Sequence, residues 1–275
     1  MHAPALAASP DIDFVGVWTR RPAAAKELAE RFGVRAFAEF SELLASTSAV
    51  SFAVPPAVQS ELGTVAAKVG KSVLLEVPIG WDLAGAEELA EAVIAAGVIS
   101  QVALTWRYIE PVRKFLAAQE TRPVRANGRV VRARPAPPQQ ISLWRRARGL
   151  LFDVGPHVSD FLDAALGPIV DVDAAAEGDD AVRLTLEHRL VGSSESSLSE
   201  STSIDYHIAE FKFTGPTGST VVDCSAAEIT ADYATMFAEF AKAVATKKAH
   251  ELDVNHGLHI QRVIEAADSA VLLGR

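Results

Sequence analysis

The sequence predicts an α/β protein in two parts: a doubly wound parallel sheet, followed by an α+β domain whose sheet is mostly antiparallel. In residues 1–106, short β-rich apolar runs alternate with longer stretches of helical period, the pattern of strand-helix units that wind a parallel sheet. From Ile169 to Cys224, short alternating runs separated by Gly and Ser are typical of antiparallel strands. We therefore place the boundary near Arg107, with the second domain over 107–275.

Apolar runs that end at prolines or polar residues predict the strands of the first domain, and helices fill the intervals. Pro22 suits a first helical turn because it has no N–H to donate, and Gly33 suits a helix end. Asp82 is a residue type that caps a helix. The predicted strands are Asp11–Trp18, Ala49–Val54, Ser72–Val77 and Val98–Trp106. The predicted helices are Pro22–Phe32, a helix over 58–69 ended by Gly70, and a helix after Asp82 with its apolar stripe over 83–93.

The second domain is predicted to begin with an Arg-rich and Pro-rich segment, 127–140, and one strong helix from about Pro156 to Leu166. The serine-rich segment Ser193–Ser203 is interpreted as polar, outward positions on two strands joined by a turn; a flexible or modified linker is the alternative. Helices over Phe237–Val244 and Leu258–Leu273 close the chain.

Composition excludes several classes of protein. The 275 residues are 49% apolar and 22% charged, as in folded soluble proteins, and carry a formal net charge of −9. That charge disfavours nucleic acid and anionic membranes as partners. No run is long and apolar enough for a membrane span, and the opening lacks a secretory signal. The single cysteine, Cys224, is typical of a reducing compartment, so we expect a cytoplasmic protein.

The turn after the first predicted strand carries Thr19, Arg20 and Arg21. In a dinucleotide-binding fold the residues just after the second strand meet the adenosine ribose. If Thr19–Arg21 is that turn, its two guanidiniums without an acidic residue favour the 2′-phosphate of NADP, although NAD is compatible. The alternative is that Thr19 only caps the next helix and that both arginines are solvated. The chain contains no Gly-x-Gly.

Asp153 and His157 stand four residues apart near the start of the strong helix. An imidazole, with an ordinary pKa of about 6.5, suits proton transfer near neutral pH, and a carboxylate can orient it. The alternative is an ordinary surface or capping histidine. His256 and His259 have no accompanying cluster of metal ligands, so no metal site is predicted. Aromatic and arginine side chains near the domain junction are pocket candidates or packing and rim residues: Trp106, Arg107, Tyr108, Trp144 and Arg145.

Six segments in order resemble the glucose-fructose oxidoreductase, inositol dehydrogenase and rhizopine catabolism (Gfo/Idh/MocA) family over essentially the whole chain. They are VGVWTRRPAAAKELAERFGV, FAVPPAVQSEL, GKSVLLEVP, TWRYIEP, LLFDVGPHVSD and HGLHIQRVIEAADSA. The resemblance implies a Rossmann domain followed by a sheet domain used for homo-oligomerisation. It also implies NAD(P)-dependent oxidation or reduction of sugars, cyclitols and related small substrates.

The resemblance also assigns residues. Arg20 and Arg21 match the ribose-phosphate end of the cofactor site, and the loop Val54, Pro55 and Pro56 matches the segment beside the nicotinamide. Glu76 and Pro78 match two members of the family's Glu-Lys-Pro signature. Asp153 and His157 match the catalytic Asp-x-x-x-His, with His157 moving the proton.

Two departures from the family pattern bear on function. Val77 stands where the family has its signature lysine, and valine can neither transfer a proton nor polarise a carbonyl. The family's first strand and glycine turn should precede HAPALAA, so we expect either an upstream start or a sheet that is poorly soluble or completed by a partner. The leading hypothesis is an NADP-type oxidoreductase; the alternative is a catalytically impaired member that acts as a ligand-binding or oligomeric interaction protein.

Overall fold

The computed structural model describes residues 2–119, 121–133, 142–178, 180–201 and 203–274. The chain folds into two compact units: the first comprises residues 1–103 and 232–258, and the second comprises 104–231 and 259–275. The division thus falls a few residues before the expected boundary after residue 106. Residues 232–258 belong to the first unit, whereas the sequence analysis assigned all of 107–275 to the second domain.

The helices and strands are numbered in chain order. The α-helices are α1 (His2–Ala8), α2 (Pro22–Phe32), α3 (Phe40–Ser46), α4 (Pro56–Lys68), α5 (Leu83–Ala96), α6 (Glu110–Ala117), α7 (Leu143–Leu166), α8 (Ala227–Thr230), α9 (Tyr233–Thr246) and α10 (Val254–Leu273). The strands are β1 (Gly16–Val17), β2 (Arg35–Ala36), β3 (Ala49–Ser51), β4 (Ser72–Leu75), β5 (Ser100–Val102), β6 (Arg125–Ala133), β7 (Ile169–Ala176), β8 (Ala181–His188), β9 (Ser193–Ser201), β10 (Ile208–Gly215) and β11 (Gly218–Asp223). A 3₁₀ turn spans Thr105–Tyr108. Within the described residues, no helix combines the length and apolar character needed to cross a bilayer.

The first unit contains two parallel sheets. β1 pairs with β2, and β3, β4 and β5 form a three-stranded sheet in that order. Every residue of β4 is buried, as expected for a strand with helices on both faces. Together with the mostly antiparallel sheet of the second unit, this arrangement confirms the predicted fold class.

The strands of the first unit are shorter than the apolar runs that predicted them. The run Asp11–Trp18 yields only Gly16–Val17. Gly16 lies so close to β2 that an added Cβ would meet the carbonyl oxygen of Arg35 at 2.3 Å, so glycine is required for the pairing. The run Val98–Trp106 ends as a strand at Val102 and continues into the 3₁₀ turn.

Residues 232–258 are tied to the edge strand of the first unit. The side chain of Gln101 on β5 donates to the carbonyl of Met236 on α9 at 3.2 Å. The Ser100 hydroxyl accepts from the N–H of Val254 at 3.0 Å, and the N–H of Val102 donates to the carbonyl of Leu252 at 2.7 Å. No local sequence signal predicts that residues 232–258 pack against the first unit.

The second unit contains a six-stranded sheet in the order β11-β10-β6-β9-β8-β7. All neighbours are antiparallel except β6 and β9, which are parallel. The inward side chains of this sheet and the apolar side of α7 form one hydrophobic core that includes Phe161, Phe211 and Leu184. β6 starts at Arg125 and overlaps the segment 127–140, for which the sequence predicted no strand; residues 134–140 lie outside the described part of the chain.

The strong helix of the second unit begins earlier than predicted. α7 runs over Leu143–Leu166 with a break at Gly149, where φ is 71° and ψ is −170°. Pro156 therefore lies inside the helix rather than at its first turn. The sequence placed Pro156 at the first turn because proline lacks the N–H that a helix interior uses. Inside α7 it costs one backbone hydrogen bond, and burial of the helix against the sheet outweighs that cost.

Residues 193–201 of the serine-rich segment form one strand, β9, where two strands joined by a turn were predicted; residue 202 lies outside the described residues. Ser194 and Ser196 point inward and are each 1% exposed. The hydroxyl of Ser194 is bonded to Nε2 of His188 at 2.8 Å, which explains why a polar residue is tolerated in the core.

Candidate cofactor and catalytic sites

The turn after β1 carries the predicted ribose-binding residues. The Thr19 hydroxyl donates to the carbonyl of Arg21 at 2.7 Å and accepts from its N–H at 3.2 Å, which fixes the turn before α2 begins. The N-cap of α2 is Arg21, without a side-chain capping bond, so Thr19 is not the helix cap. The Arg20 and Arg21 side chains are exposed, and within the described residues neither guanidinium makes an ion pair or hydrogen bond.

The other predicted cofactor residues follow the carboxyl ends of β3 and β4. Val54 and Pro55 are partly buried, and Pro56 is buried at the first turn of α4. After β4, the side chain of Glu76 is 34% exposed, and Pro78 is buried. Ligands of open α/β folds bind at the carboxyl ends of parallel strands, so both segments lie where that rule expects a binding site.

A histidine that the sequence analysis missed links these two strand ends. His2 on α1 is 7% exposed, and its Nδ1 is bonded to the hydroxyl of Ser51 at 2.7 Å. Its Nε2 is bonded to a carboxylate oxygen of Glu76, also at 2.7 Å. Phe237 packs edge-on against the imidazole, with ring centroids 5.5 Å apart. His2 therefore fixes the direction of the Glu76 carboxylate.

A buried amide, also missed, fixes the backbone of the same segment. Gln59 on α4 is fully buried; its carbonyl oxygen accepts from the N–H of Glu76 at 2.8 Å, and its amide nitrogen donates to the carbonyl of Glu76 at 2.8 Å. That nitrogen also lies within hydrogen-bond distance of the Pro78 and Ile79 carbonyls. The only sequence signal was a glutamine on the apolar side of a predicted helix.

These residues fit the two ends of a dinucleotide. Exposed guanidiniums suit a ribose or a ribose phosphate, and an oriented carboxylate with a proline-rich turn suits a polar ring at a strand end. The pyrophosphate is the part without a match, since the chain holds no Gly-x-Gly turn. Across the described residues, no group of three or more histidine, cysteine or carboxylate side chains is placed to hold a metal ion.

In the second unit, the predicted catalytic histidine lies on the kinked helix α7. His157 is partly buried, and its Nδ1 atom has no solvent exposure. Its ring stacks on the indole of Trp106, with centroids 5.7 Å apart and planes 16° apart. Because Nδ1 is enclosed, proton exchange by this ring with a substrate would have to use Nε2.

Asp153 lies one turn before His157 and is held by two arginines. One of its carboxylate oxygens accepts from Nε of Arg145 at 2.6 Å, and the other pairs with Nη1 of Arg132 on β6. The Asp153 side chain is only 8% exposed, so these ion pairs satisfy a buried charge. An orienting contact from Asp153 to His157 stays a prediction.

The pocket candidates near the domain junction differ in burial and in their contacts. Nε of Arg107 pairs with the fully buried carboxylate of Asp160 at 3.1 Å, which is a structural role. Trp106 and Tyr108 are buried. The Arg145 guanidinium lies over the ring of Trp144, 4.6 Å from its centroid, and both residues are partly buried. Of the two terminal histidines, His259 pairs with Asp163 at 2.9 Å.

Comparison with known proteins found one family model that matches the N-terminal part of the chain. The family model GFO_IDH_MocA, described as an oxidoreductase family with an NAD-binding Rossmann fold, matches residues 1–104. A search of the curated proteins found no match.

Solved structures share the fold of the whole chain at low identity. An oxidoreductase domain protein from Kribbella flavida has a TM-score of 0.87 and 19% identity, covering 100% of this chain and 94% of that one. UDP-N-acetylglucosamine 3-dehydrogenase GnnA from Acidithiobacillus ferrooxidans has a TM-score of 0.84 and 18% identity, covering 98% and 93%. GenD2 from gentamicin A biosynthesis, in complex with NAD, has a TM-score of 0.86 and 20% identity, covering 100% and 91%.

Proposed function

We propose that this chain, whose residues 1–104 match a family of oxidoreductases with an NAD-binding Rossmann fold, is an oxidoreductase of the Gfo/Idh/MocA type. In this proposal it transfers a hydride between a nicotinamide cofactor and a sugar, cyclitol or similar small hydroxy or keto substrate. The match of residues 1–104 to an NAD-binding family carries the proposal. Two solved structures with the same fold support it by their descriptions, one as a UDP-N-acetylglucosamine 3-dehydrogenase and one as a complex with NAD. The single cysteine, buried as a free thiol, agrees with a cytoplasmic enzyme.

We propose NADP as the preferred cofactor. Arg20 and Arg21 are exposed, and no acidic residue in the Thr19–Arg21 turn is available to accept from a ribose 2′-hydroxyl. A 2′-phosphate would provide the anion that two guanidiniums bind through charge-assisted hydrogen bonds. Glu76 and the loop Val54–Pro56 would then meet the nicotinamide half.

Calorimetric titration tests this preference. Alanine at either Arg20 or Arg21 is expected to weaken NADPH binding by roughly 10- to 100-fold, since a hydrogen bond to a charged group contributes about 1.5–3 kcal/mol. NADH affinity should change little. Arg31→Ala, at the other end of the same helix, is the matched control. Equal losses for NADH and NADPH would contradict a 2′-phosphate site.

His157 is proposed to move the substrate proton. In oxidation, the substrate hydroxyl proton passes to Nε2 of His157 as the C–H bond of the same carbon yields the hydride; reduction reverses both transfers. A bound nicotinamide supplies the hydride exchange at its C4. Asp153, held by Arg132 and Arg145, lies one helical turn before His157 on the same helix.

Activity is tested by absorbance at 340 nm with NADPH or NADP⁺ across a panel of sugars, cyclitols and ketoses. The expected result is turnover that His157→Gln lowers by ~10²- to 10⁴-fold, the usual contribution of a general acid or base. No absorbance change across the panel, together with no cofactor binding by calorimetry, would overturn the proposal.

A second candidate function rests on Val77, which stands at the position of the family's signature lysine. It is a ligand-binding or oligomeric interaction protein that keeps the scaffold without turnover. Val77 is partly buried beside Glu76, whose carboxylate His2 already holds. Val77→Lys distinguishes the two. A large gain in turnover indicates an otherwise intact catalytic site, whereas retained ligand binding without any gain supports the interaction protein.

A further inference from the structure

Trp106 shields one face of the proposed catalytic histidine. The two rings are nearly parallel, at 16°, with centroids 5.7 Å apart. Trp106 is 7% exposed, whereas His157 is partly exposed, so the indole lies on the buried side of the imidazole. Stacking on a face leaves the ring edge, which carries both nitrogens, uncovered by the indole.

The indole itself is fixed by the aromatic core. Phe211 on β10 packs edge-on against Trp106, with centroids 5.8 Å apart and planes at 71°. Phe211 is fully buried and packs at 80° against Phe161 on α7, which in turn contacts Phe213. Interlocked edge-to-face pairs resist rotation because each ring occupies the space beside its neighbour. The Trp106 plane is therefore set by the core.

An ion pair holds the turn that carries Trp106 against α7. Arg107, the next residue in the 3₁₀ turn, pairs with Asp160, which is fully buried. His157 and Asp160 are three residues apart on α7, so they share one face of the helix. The pairs Trp106–His157 and Arg107–Asp160 are thus consecutive contacts along one interface, and the ion pair fixes the register that places the indole on the imidazole.

We propose that Trp106 is a positioning residue that holds the His157 imidazole in the plane needed for proton transfer. This rests on the proposed function, in which His157 exchanges the substrate proton. The stacked indole restricts rotation of the His157 side chain. A displacement of about 1 Å in a reacting group can cost ~10²-fold in rate. Removal of the Trp106 indole should therefore lower turnover although the indole itself does not react.

The test compares two substitutions at one position. Trp106→Leu removes the stacked face, whereas Trp106→Phe retains an aromatic ring. For Trp106→Leu we expect kcat to fall by roughly 10- to 100-fold with a smaller change in KM, and for Trp106→Phe most of the rate to return. Kinetics use the panel substrate with the highest turnover.

A spectroscopic signature reports on the stack itself. We expect the indole ring current to shift the His157 ring protons upfield in the NMR spectrum, and His157→Gln identifies those resonances by removing them. Trp106→Leu is expected to abolish the upfield shift and Trp106→Phe to keep much of it. Phe115→Leu is the matched control, since Phe115 packs on Phe161 and Phe213 in the same aromatic cluster. It should loosen the core without moving the His157 resonances.

The outcomes separate this inference from the proposed function. Loss of rate in His157→Gln but not in Trp106→Leu overturns the positioning role. A fall in kcat in Trp106→Leu that Phe115→Leu reproduces also overturns it, because general loosening of the core would then explain the loss. A wild-type rate in His157→Gln overturns the proton-transfer role of His157 and the positioning role with it, while the NMR shift still reports whether the rings stack.

Discussion

At the scale of single residues, His2 shows how one buried polar group can set the geometry of a proposed cofactor site. Both of its ring nitrogens are hydrogen-bonded, one to Ser51 and one to Glu76. Replacing it with phenylalanine would leave those two partners without their bonds while keeping an aromatic ring against Phe237. We expect His2→Phe to lower the free energy of unfolding by about 1–3 kcal/mol, since each of the two lost hydrogen bonds contributes about 0.5–1.5 kcal/mol.

Urea unfolding measures this loss, and cofactor titration measures its effect on the site. Lys26→Gln is the control, since Lys26 and its partner Glu30 are 76% and 68% exposed and such surface changes stay within about 0.5 kcal/mol. A stability of His2→Phe equal to that of the control would show that the His2 bonds contribute nothing.

The second residue-scale prediction concerns His188. Burial lowers the pKa of His188, while a hydrogen bond to the Gly167 carbonyl partly opposes that shift. The folded protein therefore keeps the imidazole neutral at a pH where the unfolded chain, with a pKa near 6.5, binds a proton. The unfolded state then binds more protons, so this residue's contribution to stability is present above about pH 6.5 and is lost as pH falls below it.

We expect wild type to lose more stability than His188→Gln between pH 7.5 and 5.5, by up to about 1.4 kcal/mol per pH unit. Urea unfolding at the two pH values measures the difference. Between pH 8.5 and 7.5 the two proteins should change in parallel, which serves as the control. Equal acid sensitivity in both proteins would contradict the role assigned to burial of His188.

What the sequence could predict at this scale followed from local spacing. The spacing of Asp153 and His157 predicted that they lie one helical turn apart, and both lie on α7. Trp106 and Arg145 were named only as pocket or packing candidates and Arg132 not at all, because the contacts of Trp106 and Arg132 with this pair join distant parts of the chain. His2 and Gln59 were missed for the same reason: each has its bonding partners on other strands or helices.

At the scale of helices and strands, prediction succeeded where end signals are local. The helix Pro22–Phe32 was predicted to the residue, since Pro22 fixes its first turn and Gly33 adopts a left-handed φ of 66° after its last. β6 was missed because it lies in an Arg-rich segment and depends on β9 and β10 for its pairing. Strand pairing between distant segments leaves little trace in one sequence.

The break in α7 yields a prediction about an element. Gly149 has φ 71° and ψ −170°, a conformation that essentially only glycine adopts. No atom lies within 4 Å of a Cβ placed there, so backbone conformation alone opposes substitution. We expect Gly149→Ala to lower the free energy of unfolding by about 1–3 kcal/mol or to straighten the helix.

Gly33→Ala provides the matched control, because Gly33 also has a positive φ and an empty Cβ position but lies in the left-handed helical region. Its cost should be near 1 kcal/mol. Thermal unfolding compares the two variants. A smaller loss for Gly149→Ala than for Gly33→Ala would show that the break is not required by the fold.

At the scale of the whole molecule, we propose that two copies associate through the outer face of the six-stranded sheet. The inner face packs against α7, while the outer face carries alternating polar side chains of the central strands. Glu210 on β10 stands opposite Arg129 on β6, and Ser197 on β9 stands opposite both Arg129 and Arg183. Mixed charges and small polar residues let such a face meet its own copy, since each patch offers both signs.

Ser197→Arg places a third arginine between two others at the centre of that face. Wild type is expected to have twice the mass of one chain by light scattering, whereas Ser197→Arg should shift toward the single-chain mass because three like charges meet their copies across the symmetry axis. Lys26→Gln is the control, since Lys26 lies on α2, outside the six-stranded sheet, and is 76% exposed. A single-chain mass for wild type would show that the chain does not associate. An unchanged dimer in Ser197→Arg would show that two copies associate through another surface.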